Sequence, residues 1–270
     1  MHADKLNISE HFYTIQGEGA HTGVPSYFIR LQSCDLGCWW CDTSYASYAP
    51  EKGLGNILIS DLIDAAFATN TVDIAFTGGE PTIQEKGLRS ITDQIRARAK
   101  AEQRFIRITL ETHGNHFLED LEVDLVSMSP KLLSSIRPPE GVPLPKGWSE
   151  AIAVKHEAKR LNIQSVAFWA QYCFDTGKEL QLKFVICSPD DLRETDELYL
   201  QILQYSHSRY TSNNAFRSFL NRSFMLMPEG LTPDALGVNI LSLVEACKER
   251  GWRFSDRLHV RIWSSAKRGV

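Results

Sequence analysis

The stretch SCDLGCWWCD, residues 33–42, gathers three of the chain's six cysteines, Cys34, Cys38 and Cys41, into eight positions with the spacing C-x3-C-x2-C. Thiolates are soft donors that select zinc, copper(I) or iron–sulfur clusters. A structural zinc takes four ligands, and a [4Fe–4S] cluster held by protein alone also takes four. Three cysteines on one short loop therefore suit a cluster that keeps one iron open for a substrate or cofactor. The competing reading is a zinc knuckle whose fourth ligand comes from Cys173, Cys187, Cys247 or a histidine. Spacing favours the first reading without eliminating the second.

Such a loop needs a rigid frame, and the hydrophobic pattern supplies one. The region 6–33 reads as two strands around the Gly-rich turn GEGAHTG, and a polar, Tyr-rich loop follows at 44–52. Ser60 is suited to cap a helix reaching about residue 68, with Leu62, Ile63, Ala66 and Phe67 on one apolar stripe. Continuous apolar runs then predict buried strands at 72–76, 105–111, 123–129, 181–187, 223–228 and 258–263. Helices are expected at 85–102, 149–160, 162–174, 190–205 and 233–250, the last closed by Gly251, while 131–148 carries four prolines and is irregular. This alternation predicts an α/β fold with a parallel sheet. About six parallel strands are too few for a closed eight-stranded barrel, so a partial (β/α) barrel is the simplest architecture. Sites in such folds lie at the carboxyl ends of the strands.

Composition narrows the function. A chain of 270 residues with 43% hydrophobic content makes one large domain or two small ones. A net charge of −4 leaves no electrostatic footprint for nucleic acid. No apolar run approaches the roughly 18–20 residues of a membrane span, and MHADKLNISEHF has no secretory apolar region. The other three cysteines are scattered, which argues against a disulfide framework and for a reducing, cytoplasmic location.

The strand ends carry polar chemistry. Thr77-Gly78-Gly79-Glu80-Pro81 ends one strand, where glycines admit a close ligand and Glu80 can accept from an ammonium; a plain strand-to-helix turn would look the same. Others end in Glu111-Thr112-His113-Gly114, Ser129-Pro130-Lys131 and Met227-Pro228-Glu229-Gly230. Lys183 sits mid-strand, and can face inward or snorkel outward. Thr43, two residues past the last cysteine, can ligate magnesium or merely cap a turn. Arg30 is suited to bidentate capture of a carboxylate.

The cysteine spacing with Trp40 before the last cysteine resembles the signature of the radical S-adenosylmethionine superfamily. The combination of FYTIQGEG (12–19), PSYFIRL (25–31) and WCDT (40–43) resembles one branch of it, the 7-carboxy-7-deazaguanine synthases of queuosine biosynthesis. The resemblance implies a single radical-SAM-type domain over 1–270, with a departure from compact members at 132–175, a stretch whose aromatics Trp148, Phe168, Trp169 and Tyr172 would form the core of an added helical pair. It implies a [4Fe–4S] cluster on Cys34, Cys38 and Cys41, with S-adenosylmethionine chelating the open iron beside Trp40, Gly79 and Glu80. The cofactor's adenosine would lie along Ser129, Pro130 and Lys131, under Met227, Pro228 and Glu229. Magnesium on Thr43 and the guanidinium of Arg30 would hold the substrate carboxylate. The backbone of Ile15, Gln16 and Gly17 would read the flat pterin edge beside Thr77, and the chain terminus with Val270 would cover the pocket. His113 departs from the asparagine usual in the family.

The implied reaction contracts 6-carboxy-5,6,7,8-tetrahydropterin to 7-carboxy-7-deazaguanine with loss of ammonia, started by a 5′-deoxyadenosyl radical that takes a hydrogen from C6. A flavodoxin- or ferredoxin-like electron donor and a homodimer are implied as well. Two rival functions share some of these features: an activase that installs a glycyl radical on another protein, and a zinc-stapled module without catalysis.

Overall fold

Short apolar segments punctuated by glycine and proline assemble into one sheet, which the computed structural model describes together with the rest of residues 4–207, 210, 212–264 and 268–269. Among the described residues the strands are β1 (Lys5–Ile15), β2 (Pro25–Leu31), β3 (Gly55–Leu58), β4 (Asp73–Gly78), β5 (Arg107–Thr112), β6 (Leu125–Met128), β7 (Glu179–Ile186), β8 (Phe224–Pro228) and β9 (Arg253–Phe254). Their order is β3-β1-β2-β4-β5-β6-β7-β8-β9. β1 pairs antiparallel with β2 and β3, and every pairing from β2 onward is parallel. The sheet is open, and the partial barrel expected from the alternation is the one observed.

Helices α1 (Ile59–Phe67), α2 (Glu85–Ala101), α4 (Ile163–Thr176), α5 (Pro189–Tyr205), α6 (Asn214–Ser223) and α8 (Ile240–Arg250) return the chain between strands, with α3 (Glu150–Lys159), α7 (Pro233–Gly237) and α9 (Leu258–Trp263) as additions. The predicted stripe of α1 is buried at Leu62, Ile63, Ala66 and Phe67. Its cap is not: the helix starts at Ile59, and the Ser60 hydroxyl turns to Asp61 instead.

Three expectations are corrected. Residues 258–263 form a helix rather than a last strand. The alternation of LHVRIW suits a strand, but Gly17 accepts the Leu258 N–H and only Val260 is buried, so tertiary context overrides propensity. The helix expected over 233–250 breaks between Gly237 and Ile240, giving α7 and α8. The aromatics of 132–175 do not form one added core. Trp169 of α4 is fully buried in the main core, edge-on to Phe117 at 5.0 Å, so α4 is an ordinary crossover helix. Trp148 belongs instead to a separate small cluster with Ile136, Ala153, Trp39 and Tyr48.

Candidate active site

A cavity of about 250 Å³ lies across the carboxyl ends of the parallel strands. Cys34, Cys38 and Cys41 line it, with Trp40, Asp42 and Thr43 from the same loop.

The loop's geometry begins at Ser33, a non-glycine residue with φ 83°. Such strain persists only where neighbours hold it. Here the Ser33 N–H donates to Ala46 O at 2.9 Å, and Ser33 O accepts from the Glu80 N–H at 2.8 Å. Gly78 and Gly79 make this contact possible. Gly78 has φ 129°, and a Cβ on Gly79 would sit 1.9 Å from Ser33 O. The Leu36 N–H donates to Cys34 Sγ at 3.4 Å.

No disulfide joins these cysteines. Burial pushes the Cys34 and Cys41 thiols up, and Cys38 up to about 12. Buried thiols of this kind ionise only when a metal or cluster accepts them. The Lys131 ammonium works in the opposite direction on Cys38, and it also lies 5.3 Å from the centre of the Trp40 ring. The Trp40 indole N–H is buried with no partner among the described residues. Three soft donors facing one cavity, beside an orphaned donor and a glycine shelf, fit a [4Fe–4S] cluster with a nucleoside cofactor.

Glu80 is corrected. Its side chain is fully buried and does not line the cavity. Oε1 accepts from the Thr82 N–H, the Thr82 hydroxyl and the Thr112 hydroxyl, and Oε2 accepts from the His113 N–H at 2.8 Å. The carboxylate braces two strand ends against each other. Gly78 and Gly79 of the same turn do line the cavity.

The backbone role given to Gln16 is corrected too. Its N–H donates to Val24 O and its carbonyl accepts from Gly23, closing the β1–β2 connection. The Gly17 carbonyl accepts from Leu258. What Gln16 presents is a side-chain pair: Nε2 donates to Glu111 Oε1 at 3.0 Å, while Oε1 accepts from the Glu18 N–H at 3.1 Å. Arg30 lines the cavity with Nε held by Glu10 at 2.8 Å, and its terminal nitrogens have no hydrogen-bond partner among the described residues.

The remaining predicted residues divide cleanly. Ile15, Gln16, Gly17, Thr77, Ser129, Lys131, Met227 and Glu229 line the cavity; Pro130 and Pro228 do not. Val270 lies outside the described residues. His113 lines the cavity and sits 2.9 Å from Asp35.

Sequence reasoning missed a charged network at the mouth. Lys183 points inward, 4% exposed, with Nζ 2.9 Å from Glu18 Oε2. Arg257 donates from Nε to Glu18 Oε1 at 3.1 Å, from Nη1 to Gly230 O at 2.7 Å, and from Nη2 to Asp42. Burial alone would raise the Glu18 carboxyl, but Lys183 and Arg257 together hold it well below the usual range. The signal for Glu18 was present inside QGEG. Arg257 and His259, which also line the cavity, were hidden by reading 258–263 as a strand.

No family model matches the chain. Curated relatives do. A 7-carboxy-7-deazaguanine synthase of Halobacterium salinarum is 32% identical over 262 residues, 97% of this chain and 91% of that protein. One from Rhodopirellula baltica is 33% identical over 265 residues, 98% of this chain and 89% of that protein. Among solved structures, QueE from Escherichia coli superposes with a TM-score of 0.59 at 24% identity, covering 94% of this chain and 95% of that one. Native anSMEcpe with bound AdoMet gives a TM-score of 0.50 at 16% identity, covering 84% of this chain and 62% of that one. These two share the fold. With an open parallel sheet, three cysteines facing one cavity and full-length relatives above 30% identity, the chain belongs to the 7-carboxy-7-deazaguanine synthase family.

Proposed function

We propose that this cavity contracts 6-carboxy-5,6,7,8-tetrahydropterin to 7-carboxy-7-deazaguanine with loss of ammonia, a lyase step of queuosine biosynthesis. The observation that carries the reading is convergence. The Gln16–Gly19 turn and the Cys41–Thr43 segment, far apart in sequence, meet at one cavity and are tied together through Arg257. Cys34, Cys38 and Cys41 hold the cluster, and Trp40, Gly79, Ser129, Lys131, Met227 and Glu229 hold S-adenosylmethionine. Together these groups supply one-electron chemistry that removes a hydrogen atom from the substrate.

The protein's own part is placement. Arg30 offers its free guanidinium edge to the substrate carboxylate, and Thr43 offers a hydroxyl to a magnesium ion shared with that carboxylate. Gln16 fixes one Glu111 carboxylate oxygen, and the other, which has no hydrogen-bond partner among the described residues, accepts from ring N–H groups. Thr77 and Ile15 supply walls. The partners in this reading are a pterin and a flavodoxin- or ferredoxin-like donor. It has the chain acting as a single domain over 1–270, in a cytoplasmic homodimer. No helix among the described residues is long and apolar enough to cross a membrane.

The test is an anaerobic assay with the carboxytetrahydropterin, S-adenosylmethionine, magnesium and a reductant, read by deazaguanine absorbance. Product should form, from brown protein, and vanish in Cys34→Ala, Cys38→Ala and Cys41→Ala but not in Cys173→Ala. Colourless protein would support a zinc module instead. Brown protein that cleaves the cofactor but leaves the pterin unchanged would support an activase.

A further inference from the structure

Residues 132–160 grip the cysteine loop at Gly37 and Trp39. Gly37 lies between Cys34 and Cys38, and both of its backbone groups are taken by residues of 132–160. Its N–H donates to His156 Nδ1 at 3.3 Å, and its carbonyl accepts from the Trp148 indole at 3.2 Å. A Cβ at Gly37 would sit 2.1 Å from Ile152 Cγ2, so only glycine lets α3 approach this closely. The next residues are held too. The Trp39 N–H donates to Ser135 O at 3.1 Å, and its indole donates to Ser134 O at 2.7 Å.

His156 is fully buried, as is Ser135. Because Nδ1 accepts from Gly37, the ring proton lies on Nε2, which donates to Ser135 Oγ at 2.8 Å; that hydroxyl donates in turn to Leu132 O at 2.5 Å. Along this relay, from Gly37 through His156 and Ser135 to Leu132, each side-chain polar atom has a partner, which is the condition under which a buried network specifies one geometry. Burial holds the imidazole at about 4, so it stays neutral. The apolar cluster of Ile136, Trp148 and Ala153 closes against Trp39 and Tyr48 and adds a dry wall behind the cysteines.

We infer that residues 132–160 are a brace for the cluster loop, with His156 as the positioning residue that holds Gly37, and through it Cys34 and Cys38, in the ligand-ready shape. The inference rests on the cluster assignment above. It gives this segment a task within this chain: it fixes the loop before loading and slows loss of the cluster afterwards.

The test compares wild type, His156→Phe, His156→Asn and the pair Gly37→Ala and Gly37→Ala/Ile152→Ala as reconstituted protein. Iron release to a chelator under anaerobic conditions is followed by absorbance, alongside the paramagnetic resonance of the reduced cluster. Amide exchange of Gly37 and Trp39 is measured in the cluster-free protein. His156→Phe keeps the ring but leaves a buried N–H unpaired, and should speed iron release about 10-fold or more. It should deprotect Gly37 while α4 amides keep their protection. His156→Asn, which restores an acceptor toward Gly37, should recover part of the loss. Gly37→Ala should release iron fast, and Ile152→Ala should restore retention by making room for the new methyl. Wild-type release rates in His156→Phe, or loss of α4 protection together with Gly37, would overturn the brace. Wild type that takes up no cluster would instead remove the assignment beneath it, so the two failures are separable.

Discussion

Arg257→Met removes the charge that joins three separate parts of the site while keeping much of the side chain's length. The arginine side chain is 9% exposed, against 17% for Glu18 and 39% for Asp42. Glu18 would keep Lys183 at 2.9 Å, so its loss is one charge-assisted hydrogen bond of about 1.5–3 kcal/mol. Asp42 is exposed enough to be rehydrated, and its pair contributes at most about 1 kcal/mol. The Gly230 carbonyl is the third loss, a buried acceptor left without its donor at about 1–3 kcal/mol. The total is about 3 kcal/mol at the low end, which corresponds to roughly 10²-fold in an equilibrium.

That loss should fall on substrate placement more than on the cluster. Asp42 adjoins Thr43, and Glu18 adjoins Gln16 and Gly17, whereas the cysteine loop is held by Glu80, Ala46 and the 132–160 segment. The expected result is normal iron content, near-normal cofactor binding, a raised KM for the pterin and a raised magnesium requirement. Arg257→Lys should recover little, because one ammonium cannot hold three divergent acceptors. Steady-state kinetics against pterin and magnesium, with thermal unfolding alongside, check this. An Arg257→Met enzyme with wild-type KM, magnesium response and stability would refute the reasoning.

Glu80→Ala should act on folding first: with four donors left unpaired in the interior, stability should drop by about 3 kcal/mol or more. Denaturant unfolding of the cluster-free protein reads this directly, and weakened cofactor binding at unchanged stability would be the contrary result. Thr43→Val keeps the shape without the oxygen, and should retain cluster and cofactor while turnover loses its magnesium dependence, with a rate loss of up to ~10²-fold. Superimposable magnesium curves for wild type and variant would remove the metal role. The last concerns pH. Burial, with help from Lys131, Arg160 and His113, lowers His156 from 6.5 to about 4. The unfolded chain therefore takes up this proton first, so the contribution to stability is complete above pH 6.5 and is lost as pH falls toward 4. The melting temperature of cluster-free wild type should fall over this window more steeply than that of His156→Asn, and parallel profiles would contradict the buried neutral state.

Much of the frame was legible because buried parallel strands announce themselves. The apolar-rich runs at 72–76, 105–111, 123–129, 181–187 and 223–228 each overlap an observed strand. The cysteine loop and its shelf were legible through residue chemistry. What sequence periodicity hid was direction. Glu80 stands in a motif that faces the cavity, yet its own side chain turns inward because Thr82, Thr112 and the His113 N–H converge behind it. Gln16 likewise uses its backbone on the β1–β2 connection and its amide on the site. Arg257 was obscured for another reason: its partners lie 239, 215 and 27 residues away, and a two-residue alternation in the following segment imitated a strand. Local pattern cannot report a role made entirely of distant contacts.

The acidic groups around the cysteines show how the site tolerates the charge that a thiolate-held cluster brings. Asp35, Asp42 and Glu80 all lie on or against the cysteine loop, and each would repel the thiolates. Two like charges 4 Å apart in a partly buried setting cost about 4 kcal/mol at an effective dielectric of 20. Each carboxylate is instead engaged by its own partners before any cluster binds. Asp35 lies between His113 and His116, at 2.9 and 3.0 Å; although its partial burial works the other way, the two imidazoles hold its carboxyl low. Asp42 is paired with Arg257, and Glu80 receives its four hydrogen bonds from neutral donors. At His113, Nδ1 accepts from the Asn115 N–H at 3.2 Å, which leaves the ring proton on Nε2 to face Asp35.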